Sequence, residues 1–344
     1  MSKIDLVIKP RATLDWQAFA REASPRSIAL DGIVTGGPRW DEKALLLNLD
    51  HHDGCVREAT MSTSKQALFA IKGGVMKRFG GEATLWVNDP DQDTSLATWL
   101  LMHHKQFEGV QSHPIINRLL ELTDRWDITG GAYPTALDDA LLETHAWVFD
   151  PYQSLRVSGA LATADEGIMR SSFEAVHARL SACLLGQAGS KPLRTEATVL
   201  HDSPHGYKVV DELGGNEARY RLFSEGMDAF VSLVARLPGN PVGVSERSER
   251  RWGSVAPPAE APLVGARFVY SIGRRSQYVR FPLQEIFFAL NVAEPRRGGF
   301  TVPGPGWGGS TIIGGSPRDG GSRLTWEQIV EVIDGVMGPL KGGG

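Results

Sequence analysis

The chain holds only two cysteines, Cys55 and Cys183, in 344 residues, which excludes a disulfide framework and fits a reducing compartment. No apolar run approaches the ~20 residues needed to span a bilayer. The stretch MSKIDLVIKPRATLDW has no uninterrupted apolar segment of signal-peptide type, so a cytoplasmic protein without membrane contact is expected. Neither acidic nor basic residues dominate, 40 against 36. The formal net charge is −4, which gives no field to gather long nucleic acid; a nucleotide ligand would need local positive charge or bound metal. The glycine-rich tract at 298–321 lacks Gly-Lys-Ser/Thr, removing P-loop ATPase chemistry. His51 and Cys55 have no second Cys/His pair, so a structural zinc site is not expected. There is no solenoid-period repeat.

What is present is an ordinary globular composition, 42% hydrophobic and 22% charged, in a chain long enough for two domains of about 150 residues each. Residues 27–34 and 44–49 are short apolar runs ending in polar residues, the pattern of buried parallel strands. Residues 60–79 carry Leu68, Ile71, Val75 and Met76 at helical spacing, with Ser62 or Thr63 as N-cap and Gly73-Gly74 weakening the run. A strand at 83–87, a polar turn at 88–93 and a helix capped by Thr94 or Ser95 follow. Further helices are predicted at 115–122 and 165–185. Small, structure-breaking residues at 186–192 mark a domain boundary, giving domains 1–188 and 189–344. The second half predicts strands at 206–210 and 266–272 and helices at 224–237 and 326–337. The charged stretch SERSERR at 245–251 reads as a solvated loop. The expected fold is α/β: a mostly parallel, doubly wound sheet domain, with ligands at the carboxyl ends of its strands, and a smaller α/β C-terminal domain.

Chemistry concentrates at these strand ends. The sequence N-L-D-H-H-D at 48–53 lets Asp50, His51 and His52 leave one strand together, a carboxylate–imidazole set suited to Mn²⁺, Fe²⁺ or Zn²⁺. The run N-D-P-D-Q-D-T-S-L-A at 88–97 offers Asp91 and Asp93 at a helix start, where the dipole offsets part of their repulsion. Such carboxylates are costly to cluster without a cation or open solvent. Asp31 ends another strand, and Asp124 and Asp127 follow a helix. Cys55 reads as a small, partly buried thiol. Trp307, inside the glycine-rich tract, offers a face for stacking on a base.

These residues carry a resemblance. Asp50-His51-His52 resembles the triplet that names the DHH phosphoesterases, and Pro90-Asp91-Gln92-Asp93 resembles that family's Pro-Asp-x-Asp turn. Asp31 resembles its isolated strand-end Asp, and Asp127 or Asp124 its last metal-binding Asp. Residues 270–276, with Arg275 and Ser276, resemble a strand of the DHH-associated C-terminal domain. Residues 307–315 resemble its glycine-rich substrate loop.

The resemblance implies a metal-dependent hydrolase of a phosphoester or phosphoanhydride bond. Asp31, Asp50, His51, Asp91, Asp93 and Asp127 would hold one or two Mn²⁺ ions, with Mg²⁺, Fe²⁺ or Zn²⁺ as alternatives. His52 and Arg275 would be catalytic; Arg275, Ser276, Gly308, Gly309 and Ser310 would grip substrate. The expected partner is a small phosphorylated substrate or short oligonucleotide, and a homodimer is left open. Three departures stand out: the triplet precedes the Pro-Asp-x-Asp turn instead of following it, Val87 replaces a histidine that Asp89, His103 or His104 would have to supply, and Ser310 replaces the loop histidine. They motivate an alternative, a non-catalytic metal- or nucleotide-binding protein.

Overall fold

Short runs, apolar in all but the exposed edge strand Arg39–Asp41, set the first sheet. In the computed structural model, which describes residues 3–132, 139–193, 196–211, 216–237, 267–294, 306–317 and 321–339, these runs form β1 (Ile4–Ile8), β2 (Ser27–Leu30), β3 (Arg39–Asp41), β4 (Leu46–Leu49) and β5 (Ala83–Val87). The strand order is β1-β5-β2-β4-β3. β1, β5, β2 and β4 are mutually parallel, and β3 is an antiparallel edge. β1, not foreseen in the sequence, pairs with β5 from Ile4 to Ile8.

The helices are α1 (Trp16–Glu22), α2 (Thr63–Lys72), α3 (Val75–Arg78), α4 (Gln92–Met102), α5 (Pro114–Thr129), α6 (Asp139–Val157), α7 (Glu166–Leu184) and α8 (Asn216–Ser224). Because side chains alternate along a strand, the sheet buries two different sets. Ile28, Leu30, Leu85 and Val87 join the core with α2, α4, α5, α6 and α7. Ala29, Leu46 and Trp86 pack on the other face with Phe19 of α1. Parallel pairing brings the ends of β2, β4 and β5 to one edge, and Asp31, Asp50 and the 88–93 turn follow these strands directly.

The helix expected over 60–79 is two. Gly74 takes φ 91° at the break between α2 and α3, a conformation open to glycine because it lacks a Cβ. Contacts divide the chain into two compact units, Met1–Glu196 with Gly214–Gly226, and Ala197–Leu213 with Met227–Gly344.

The second unit holds β6 (Thr198–Asp202), β7 (Tyr207–Asp211), β8 (Ala229–Leu237), β9 (Arg267–Arg274), β10 (Gly308–Gly309) and β11 (Ile313–Gly315), with α9 (Leu283–Ala293) and α10 (Trp326–Met337). The sheet order is β10-β11-β9-β8-β7-β6, with β7 and β8 parallel and the other pairs antiparallel. Ile272 of β9 and Val231 of β8 pack with Ile286, Leu290, Ile329 and Ile333 of the helices. The helix expected at 224–237 is wrong. α8 ends at Ser224, Gly226 turns the chain at φ 100°, and β8 runs between β7 and β9. Phe230, Val231 and Leu233 are all buried; with both faces covered, β8 shows no polar alternation to betray a strand. Residues 245–251 and part of the glycine-rich tract lie outside the described residues. Among the described residues no helix is long and apolar enough to cross a membrane.

Candidate metal centre

The centre is built where two helices begin beside two strand ends. A helix leaves its first amide groups without intrahelical acceptors, and those of α2 all find acceptors. Ser62 N donates to Asp124 Oδ1 at 2.8 Å, Thr63 N to Asp93 Oδ2 at 2.6 Å and Ser64 N to Asp93 Oδ1 at 3.0 Å. Lys65 N donates to Ser62 Oγ at 3.4 Å. Of the two caps the sequence offers, Ser62 and Thr63, Ser62 is the N-cap. Asp93, in the first turn of α4, therefore caps a different helix, α2. Its own helix is capped by Asp91, whose Oδ1 accepts from Thr94 N at 2.8 Å. The expected cap, Thr94 or Ser95, is thus corrected to Asp91. Thr94 instead turns its hydroxyl to Asp31.

Asp31 follows β2 with φ 56°, a strained setting for a non-glycine residue that is often functional. Both its oxygens are held by hydroxyls, Oδ1 by Thr63 Oγ1 at 3.0 Å and Oδ2 by Thr94 Oγ1 at 2.8 Å. Burial raises its pKa, but His52, His51 and the Thr94 bond outweigh that and leave it well below the carboxylate range. Asp50 Oδ1 accepts from the amides of His51 and His52 at 2.8 and 3.1 Å and meets His52 Nδ1 at 2.9 Å. Its Oδ2 is buried without a hydrogen bond.

His51 is fully buried. Its Nε2 pairs with Asp127 Oδ2 at 2.8 Å and lies 3.4 Å from Asp31 Oδ1 and 4.0 Å from Asp93 Oδ2, without the direction of a well-formed hydrogen bond, and Nδ1 is buried with no hydrogen bond. Burial lowers its pKa and Arg57 opposes its charge, but Asp127 and Asp31 carry it well above the usual imidazole value. Asp127, in the last turn of α5, is pushed up by burial and pulled down further by His51 and Arg57. Arg57, on a 3₁₀ turn at Arg57–Ala59, donates from Nη2 to the Asp127 carbonyl at 2.8 Å and to both carboxylate oxygens at 3.3 Å.

The remaining acids show an excess of negative charge. Burial first, then Asp127 and Asp31, pushes Asp93 up to about 7. Asp91 is raised well above its ordinary value by burial, then by Asp31 and Asp89. A divalent cation relieves such an excess, and a buried imidazole nitrogen amid carboxylates is the donor it would use once it displaces the proton His51 holds. Among the described residues two groups have donor atoms within 4.8 Å of one another, Asp31-His51-His52 and His51-Asp93-Asp127. These groups could hold a metal ion, and their N/O donors fit Mn²⁺, Fe²⁺ or Zn²⁺.

Asp31, His51, Asp93 and Asp127 thus come together, with His52, 36% exposed, at the edge. Asp50 and Asp91 fall outside both groups; Asp91 caps α4, and Asp50 holds the amides of His51 and His52. Asp124, the other candidate for the last metal-binding Asp, pairs with Lys65 Nζ at 2.9 Å and caps Ser62. Val87 is core. His103 Nδ1 contacts the Trp99 carbonyl and His104 Nδ1 contacts Glu108, so neither joins a group. Arg57, Thr63, Ser64 and Thr94 escaped the sequence reading as parts of the site; the Ser/Thr run at 62–64 was the only signal, and it read as an ordinary cap.

In the second unit Arg275 Nη2 pairs with Asp228 Oδ1 at 2.5 Å and the Met227 carbonyl at 3.0 Å. Ser276 Oγ accepts from Tyr278 N at 3.2 Å. Gly308 and Gly309 form β10. Ser310 closes the turn to β11, its Oγ 3.0 Å from the Ile313 carbonyl and 3.2 Å from the amides of Ile312 and Ile313. Trp307 is not a free face for a base. It is 3% exposed, stacks on Tyr270 and donates from Nε1 to Glu294 at 2.9 Å; its indole belongs to the core. No protein-family model, curated protein or solved structure matches the chain.

Proposed function

We propose that the chain is a metal-dependent hydrolase of a phosphoester or phosphoanhydride bond, working in the manner of the DHH phosphoesterases on a doubly wound catalytic unit. One observation carries the reading: the buried Nε2 of His51 sits within 4.0 Å of carboxylates from three separate segments, Asp31 after β2, Asp93 of α4 and Asp127 of α5. Asp31, His51, Asp93 and Asp127 would hold the cation, Mn²⁺ first among the choices. A divalent cation there supplies Lewis acidity toward a phosphoryl oxygen and activates water for attack.

The protein's own contributions follow from its contacts. The Thr63 and Thr94 hydroxyls fix Asp31, and the α2 amides fix Asp93, so the donors are pre-set. Asp50 Oδ1, 2.9 Å from His52 Nδ1, favours the proton on that nitrogen. The other ring nitrogen of His52 is left to take or give a proton at the half-exposed edge. The second unit would be the substrate-binding part. Arg275, with a side chain 38% exposed beyond its pairing with Asp228, Ser276 and the β10–β11 hairpin are its anion contacts.

Turnover of bis-p-nitrophenyl phosphate, pyrophosphate and short oligonucleotides under Mn²⁺, Mg²⁺, Fe²⁺ and Zn²⁺ tests this. His51→Asn should abolish cation binding and turnover. His52→Asn should retain the cation and lose roughly 10²–10⁴-fold in kcat, the range for a proton-transfer group. The occupation of His103 and His104 elsewhere favours a second reading, a metal- or nucleotide-binding protein without turnover. Tight cation and nucleotide binding with no product under any of the four metals would select it.

A further inference from the structure

The carboxylates of the centre differ in how they are held. Asp31 receives two hydroxyls, and Asp93 receives two backbone amides and the Ser64 hydroxyl. Asp127 has no amide or hydroxyl on its side chain among the described residues. Its partners are His51 Nε2 at 2.8 Å and Arg57 Nη2 at 3.3 Å from each oxygen. Once His51 and Asp127 both turn their donors to a cation, Arg57 is the partner that remains.

We propose that Arg57 is the positioning residue of the centre: by gripping the main-chain carbonyl and the carboxylate of Asp127 together, it sets that ligand's orientation. The proposal rests on the reading of the site as a cation centre. Arg57 is 5% exposed and its Nε is buried without a hydrogen bond, so it is placed to act on Asp127 and not on a solvent-borne anion. One nitrogen bonded to both the backbone and the side chain of a single residue restricts rotation about its χ angles. The carbonyl it takes is among the last of α5, which the helix itself leaves unpaired; a guanidinium there also complements the helix dipole. His51 and Arg57 further anchor the intervening segment 52–56 at both ends on the same carboxylate. The guanidinium does bring positive charge near the cation. With His51 neutral as a ligand, the carboxylates of Asp31, Asp93 and Asp127 nevertheless outnumber it, so the surroundings stay negative.

The test is Mn²⁺ affinity by titration calorimetry for the full chain, Arg57→Lys, Arg57→Gln, Asp127→Asn and the Arg57→Gln/Asp127→Asn double variant, with circular dichroism confirming the fold of each. Removing a group that orients a ligand weakens metal binding by roughly 10–100-fold, and that loss is expected for Arg57→Gln. Arg57→Lys keeps the charge and loses the planar fork, so it should also weaken binding by about tenfold, the lower edge of that range. In the Asp127→Asn background, Arg57→Gln should cost less than about twofold, because the residue it positions is already disabled. Wild-type affinity in Arg57→Lys, or an equal loss with and without Asp127, overturns the proposal. If Arg57→Gln does not fold, Arg57→Lys and its own double variant carry the same comparison. Wild-type affinity in Asp127→Asn would instead remove Asp127 from the centre, overturning the underlying reading and this proposal together.

Discussion

Saturating Mn²⁺ should raise the unfolding midpoint of the Met1–Glu196 unit by about 5–11 °C, and EDTA should reverse the change. The starting point is the crowding of carboxylates, where Asp31, Asp93 and Asp127 gather around His51 with His52 and Arg57 beside them, and where Asp93 is pushed up to about 7. Relief of that repulsion exists in the folded chain alone, because the unfolded chain does not assemble His51 with carboxylates drawn from residues 31, 93 and 127. An ion that binds only the native state at a hundred times its dissociation constant stabilises by about 2.7 kcal/mol. For a unit of this size each kcal/mol moves the midpoint by about 2–4 °C, which gives the range above. With two units in the chain a single transition is not assured, so the assay should pair scanning calorimetry with hydrogen exchange. Slowed exchange at Thr63 and Ser64, whose amides rest on Asp93, should accompany the shift. His51→Asn should erase both effects. A shift below about 1 °C with Mn²⁺, Mg²⁺, Fe²⁺ and Zn²⁺, or an undiminished shift in His51→Asn, would refute the reasoning; 1 °C is less than about 0.5 kcal/mol here.

Other consequences are equally open to measurement. Asp124→Asn removes the charged acceptor of Ser62 N and one partner of Lys65, which keeps Glu121 at 2.9 Å; urea titration should show a loss of about 2 kcal/mol with cation affinity retained. A Cβ on Gly314 would come 2.3 Å from the Gly308 carbonyl oxygen and 2.5 Å from Phe287 Cζ, so Gly314→Ala should destabilise the second unit by about 1–3 kcal/mol and speed amide exchange across β10 and β11. His145 is buried against Trp126 and Phe149, and burial lowers its pKa from 6.5 to about 3. The unfolded chain therefore binds a proton first as pH falls, and stability drops from pH 6.5 toward 3. Between pH 7 and 5 this residue alone should account for roughly 2 kcal/mol. His145→Phe should flatten that slope in urea midpoints, and an unchanged slope would count against the assignment.

Much of the first sheet was legible because strands buried on both faces leave continuous apolar runs, as in Ser27–Leu30 and Ala83–Val87. The same physics hid β8, whose run Ala-Phe-Val-Ser-Leu-Val-Ala-Arg-Leu suits a buried helix as well as a central strand. β1 passed unnoticed because Ile4–Ile8 is short and gains meaning only from pairing with β5. In the site, carboxylates and histidines at strand ends announced themselves. The geometry explains what did not: Asp93 caps a helix other than its own, and Thr63 and Thr94 reach the same aspartate from different helices. Such links join residues about thirty or sixty positions apart and leave no local pattern. Arg57 was silent for the same reason, since a lone arginine after a loop looks like surface until Asp127 is seen beside it.

The cap that Asp93 lends to α2 has an implication for tracing descent. A lineage that abandoned catalysis would still need an acceptor for Thr63 and Ser64, and would still need Asp31 to satisfy two buried hydroxyls. Natural selection for folding alone would therefore preserve part of the acidic set whether or not the proposed turnover persisted. In a survey of related genomes, retention of Asp31 and Asp93 would say little about activity. His52, at the half-exposed edge and capping no helix, would be the position that registers its loss.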